Sequence, residues 1–100
     1  MLRTLITVAT GVLLLAPPAH AQANGPSGQA MAQTCYVCHG PGGQGVAPIP
    51  TLVRVPADVL RTRMMEFKTE QRPTTVMARI AKGYSDEQIA AISDYLGALK

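Results

Sequence analysis

One hundred residues with nine basic and six acidic side chains, a net charge of +3, leave room for one domain and carry too mild an excess to predict a nucleic-acid partner. Three Tyr, one Phe and no Trp make a thin core from side chains alone, and a chain this short leans on a disulfide, metal or cofactor staple. No strand pattern and no internal repeat is visible, so the expected class is all-α.

The chain opens as an export leader: Arg3, an apolar run from Leu5 to Ala16, a Pro17-Pro18 break, and Ala19-His20-Ala21 in the small-x-small form that signal peptidase cuts. Cleavage is expected after Ala21, with Ala23 the alternative, making residues 1–21 a signal peptide and placing the mature domain, 22–100, in the periplasm. Cutting there removes Arg3 and leaves 79 residues with eight basic and six acidic side chains, a net +2. A retained anchor is the competing reading. A span needs about 20 predominantly apolar residues, whereas this run is shorter and interrupted by Thr7, Thr10 and Gly11, so no stable membrane span is expected after cleavage.

Ser27 is placed to cap a first helix that runs through Ala30, Met31 and Thr34 into a cysteine motif. Residues 40–50 hold four Gly and three Pro, which excludes regular structure and predicts a loop wrapped around something. Pro56 suits the first turn of a middle helix, whose Ala57, Leu60, Met64 and Phe67 share a face opposite Arg61 and Lys68. A polar stretch from Thr69 to Thr75, broken at Pro73, leads into Val76–Tyr84, a segment that Gly83 ends and that puts Met77 between two helices rather than inside one. Ser85 with Gln88 forms a capping box, and Ile89, Ile92, Leu96 and Leu99 are the stripe of a C-terminal helix.

The chemistry is concentrated in Cys35-Tyr36-Val37-Cys38-His39. Two thiols adding across the vinyl groups of adjacent haem pyrroles need the separation of positions i and i+3 on a helical turn, which Cys35 and Cys38 have. The next residue then lies under the porphyrin, where the His39 imidazole can bind iron from the proximal side. The motif thus predicts one covalent haem c. Zinc would need four ligands, and only Cys35, Cys38 and His39 are of the right type after leader removal. A thioredoxin-like dithiol needs a βαβ pattern, and a plain disulfide leaves the adjacent His and the thin core unexplained.

A haem that moves electrons fills its sixth position with a thioether or a second imidazole. His20 leaves with the leader, so the candidates are Met31, Met64, Met65 and Met77. Methionine more often fills core gaps, the reading taken for Met31 and Met64, while Met65 falls off the apolar stripe. Met77 is the one free to reach inward.

The ordered sequence of a haem motif closing the first helix, a Gly/Pro loop, a middle helix, a Met segment and a terminal helix resembles the class I cytochromes c over the whole mature chain. The resemblance implies a fold of three main helices and loops around one covalent haem, with residues 22–100 the cytochrome c domain. It also implies Met77 as the second axial ligand. It further implies that a proline carbonyl in a Pro-x-Leu segment orients the proximal histidine: Pro50 of Pro50-Thr51-Leu52 here, with Pro48 the fallback. A helix crossing that sets Gly28 and Met31 against Tyr95 is part of the same pattern.

Within the class, Thr75–Ser85 looks most like the cytochrome subunit of flavocytochrome c sulfide dehydrogenases, with single-haem relatives of cytochrome c4 next. That likeness implies a non-catalytic electron carrier accepting electrons from an FAD-containing, sulfide-oxidising subunit. The alternatives are a free carrier that donates to a terminal oxidase or other reductase, and an open-site haem peroxidase or gas sensor. Apolar packing from Ile49, Leu52, Leu60, Phe67 and Ile80 would raise the potential. Arg79 and Lys82, with Arg54 or Arg72, are candidates to steer an acidic partner.

Overall fold

Serine and threonine hydroxyls start three of the four α-helices among the described residues. In the computed structural model, which describes Gly11, Leu15, residues 25–73 and residues 75–100, helix α1 spans Gly28–His39, and Ser27 Oγ accepts from the Ala30 N–H at 3.1 Å. Apart from Gly11 and Leu15, the expected leader at 1–21 lies outside the described residues. Helix α2, Ala57–Lys68, begins one residue later than the sequence suggests, because Pro56 adopts an extended N-cap conformation. Helix α4, Asp86–Gly97, opens on the complete Ser85/Gln88 capping box.

The segment expected to be a connecting stretch forms a helix of its own, α3, Val76–Lys82. Thr75 is extended, and its hydroxyl accepts from the Met77 N–H at 3.2 Å, satisfying a free donor of the first turn. Met77 therefore sits in the first turn of α3 and not between helices. Among the described residues the only β pairing is an isolated bridge between Val46 and Ile49. No described helix is long and apolar enough to cross a membrane.

Helices α1 and α2 both pack on α4, and α3 packs on α2. At the α1–α4 crossing the backbones touch: a Cβ on Gly28 would lie 2.2 Å from the Ala91 carbonyl oxygen. Gly28 thus meets Ala91, a turn before the Tyr95 that the family pattern implied. Met31 packs with Ala32, Leu60, Ile92 and Leu96 in the buried cluster, and Tyr95 covers its edge. Each large apolar side chain in this cluster contributes about 1.5–3 kcal/mol by burial. The end of α2 is tied down by Lys68 Nζ, which donates to Tyr84 O at 2.8 Å and Asp86 Oδ1 at 2.7 Å.

The crossing gives a direct test. Gly28→Ala forces the two backbones apart and is expected to cost about 1–3 kcal/mol in guanidinium unfolding of the haem-loaded protein. An unchanged midpoint would show that α1 and α4 do not meet here.

Candidate functional site

One helical turn separates Cys35 from Cys38 near the end of α1, and both line a cavity of about 450 Å³ walled by α1, the 48–52 loop and helices α2 to α4. The two thiols are not bonded to each other. Burial pushes the Cys35 thiol up from its ordinary value, against a smaller lowering by the Thr34 hydroxyl, so it stays protonated near neutral pH. Cys38 is exposed.

His39 ends α1, is 7% exposed and lines the same cavity. Its Nδ1 lies 2.7 Å from the Pro50 carbonyl oxygen. A carbonyl only accepts, so Nδ1 carries a proton, and in the neutral imidazole the lone pair is then on Nε2. The loop is folded to make this contact. Leu52 N donates to Gly43 O at 2.7 Å, and Thr51 Oγ1 donates to the same oxygen at 3.2 Å. Gly45 holds φ +88°, and a Cβ there would come within 2.7 Å of Thr51 N, a position only glycine fills. Pro48, the fallback, lines the cavity without receiving the histidine's hydrogen bond.

The methionines sort by location. Met31 is buried in the helix cluster, and Met65 is half-buried away from the cavity wall. Met77 lines the cavity from α3, and Met64, expected only as core filler, lines it from α2. Ile49, Leu52, Leu60, Phe67 and Ile80 complete much of an apolar surface. Among the cations proposed for steering, Lys82 bonds Glu70 at 2.6 Å, and Arg72 pairs with Glu66 and lies over the Phe67 ring. Arg54 and Arg79 are exposed, and Arg63, not singled out from the sequence, stands at the cavity wall. Ser93 was also missed, although its place four residues after Ile89 and three before Leu96 puts it on the apolar stripe of α4.

A flat apolar ring with two vinyl groups fits this donor set: paired thiols one turn apart, an imidazole with its second nitrogen available, thioethers in the same cavity, and walls that are largely apolar. An all-α chain with this site is a covalent-haem protein. The chain belongs to the cytochrome c family, whose sequence profile matches residues 26–100. It is 36% identical to the cytochrome subunit of sulfide dehydrogenase from Chlorobaculum tepidum, over 72% of this chain and 66% of that one. It is 35% identical to a thiosulfate dehydrogenase electron acceptor from Thiomonas intermedia, over 99% of this chain and 45% of that one. The solved structure of Acidithiobacillus ferrooxidans cytochrome c4 shares the fold, with a TM-score of 0.62 and 32% identity over 65% of this chain and 38% of that one. The chain thus spans about two thirds or less of the length of these relatives. The fold is that of the class I cytochromes c, and the matched residues form a cytochrome c domain that carries one covalent haem c.

A pH-sensitive ion pair on the surface joins the end of α2 to α3, the helix that carries Met77. Glu70, in the left-handed region at φ +58°, closes the C-terminus of α2 with Gln71 N donating to Glu66 O at 2.8 Å. Its bond to Lys82 holds the Glu70 carboxyl below its ordinary value of 4.5. A lowered carboxylate stabilises the fold above the unfolded-state value, and the effect is lost as pH falls through the folded-state value. Wild type is therefore expected to exceed Glu70→Gln in denaturant stability at pH 6, with the difference shrinking as pH falls below the ordinary carboxylate range. A difference that does not change with pH would rule out the Lys82 pair as its source.

Proposed function

We propose that Cys35 and Cys38 hold the haem through thioether bonds, that His39 and Met77 are its axial ligands, and that Pro50 fixes the proximal imidazole. On this reading residues 22–100 act in the periplasm after removal of the leader, and the protein takes electrons from an FAD-containing, sulfide-oxidising partner. The observation that carries the site reading is the His39–Pro50 hydrogen bond, which uses Nδ1 and leaves Nε2 as the nitrogen available to a metal in a cavity that Met77 also lines. The sulfide assignment is supported by the likeness to the Chlorobaculum tepidum subunit.

The haem supplies a one-electron iron couple. The chain supplies the rest. His39 is held in one tautomer by Pro50, and Met77 is held by the capped first turn of α3, so both donors keep their places in either oxidation state and little reorganisation accompanies transfer. A neutral thioether and apolar walls favour the less charged state of the iron. Val37 and Val76 are 86% and 65% exposed, and both flank residues that line the cavity. Exposed apolar side chains next to cavity-lining residues, with Arg79 also exposed, suit brief docking of an acidic redox partner.

The oxidised haem-loaded protein is expected to show the weak long-wavelength band of methionine-ligated iron, and Met77→Ala to lose it together with a fall in potential. Met64 shares the cavity, so Met64→Ala is the matched control and should keep the band. High-spin ferric iron in the unmutated protein would overturn the axial assignment and favour an open-site haem. For the partner, sulfide should reduce the haem only when an FAD-containing subunit is present. Purification alone, with direct electron transfer to a terminal oxidase, would establish a free carrier instead.

A further inference from the structure

The hydroxyl and imidazole groups in the wall of the haem cavity are hydrogen-bonded within the protein, with one exception. Thr34 Oγ1 donates to Met31 O at 2.7 Å and meets Tyr84 Oη at 3.1 Å. Thr51 donates to Gly43 O, Thr75 accepts from Met77 N, and His39 is bonded to Pro50. Arg63 is exposed to water. Ser93 lines the cavity from α4 and is 1% exposed, and its hydroxyl has no hydrogen-bond partner among the described residues.

A hydroxyl buried without a partner is unfavourable, and native proteins rarely leave one. The position does not ask for serine on other grounds. Its neighbours on the same face, Ile89, Ile92 and Leu96, are apolar and buried, and alanine would be the better helix former. A serine here makes physical sense when the occupant of the cavity supplies the missing acceptor. Haem, the occupant in the site reading above, on which this inference rests, presents acceptors at its periphery: carboxylate oxygens and the thioether sulfurs formed by Cys35 and Cys38.

We propose that Ser93 donates its hydroxyl hydrogen to a peripheral acceptor of the haem and thereby raises its reduction potential. Donation to either kind of acceptor draws electron density away from the ring, which favours the reduced iron. The residue touches the cofactor and tunes it, without ligating iron.

The test is potentiometric titration and thermal melting of the haem-loaded wild type, Ser93→Ala and Ser93→Thr, with covalent haem and the long-wavelength band recorded for each. Ser93→Ala is expected to keep the haem and the band while its potential falls and its melting temperature drops by about 4–8 °C. Ser93→Thr, which keeps the hydroxyl, should hold the wild-type potential even where its added methyl lowers the melting temperature. A wild-type potential in Ser93→Ala overturns the proposal. With an unchanged or higher melting temperature, that result would mark the hydroxyl as unpartnered or bound only to water. Failure of the underlying reading looks different: unmutated protein without covalent haem would remove the cavity's occupant, and this proposal with it.

Discussion

The contact on which the site depends is the hydrogen bond between His39 Nδ1 and the Pro50 carbonyl. It fixes the tautomer of a buried imidazole and so decides which nitrogen faces the cavity. It also joins the end of α1 to the return of a Gly- and Pro-rich loop that has no regular structure of its own beyond a single turn of 3-10 helix at Pro41–Gly43. Without the contact, neither the ring orientation nor the loop path is determined. Oriented by this bond, the ring has one nitrogen left for a metal, and α1 has already placed two thiols beside it.

The rest of the architecture is arranged to leave space. Among the described residues the buried apolar side chains number eight, and three of them are alanine. Ile49, Val76 and Ile80 are instead exposed and line the cavity. Apolar surface of that kind is unfavourable in water and becomes a core when a large apolar group covers it. A covalent haem is therefore structural as well as functional: it stays attached in the unfolded chain, and folding stabilises the protein by burying the ring against these side chains. Backbone contact between α1 and α4 at Gly28 and Ala91 closes the helix frame around that space.

Much of this was legible in the sequence because it rests on local rules. Ser27, Ser85 and Gln88 announce their helices through capping chemistry, the Cys35–His39 spacing is set by one turn of helix, and the Gly and Pro content of 40–50 excludes a regular element. What the sequence obscured depends on tertiary placement. Helix α3 is seven residues long, too short to propagate a periodic signal, so it read as a connection. Met64 is equivalent to core filler by spacing alone, and only the position of α2 turns it toward the cavity. Ser93 sat on a visible stripe, but periodicity marks a residue as buried and does not say what it is buried against.

The two sides of the site are supported very differently. His39 belongs to a twelve-residue helix whose backbone is locked against α4. Met77 lies in a short helix that would be unstable alone and that owes its form to buried Ala78 and Ala81, the Thr75 cap and the Lys82–Glu70 bond. Tyr84, which meets Thr34 across the molecule and receives Lys68 at its carbonyl, anchors the far end. Elements with few buried contacts open at lower free energy than those in the core, so α3 is the part of the site that yields first. The axial role proposed for Met77 requires it to stay in place through both oxidation states, and the ties around α3 hold a marginal helix without enlarging it.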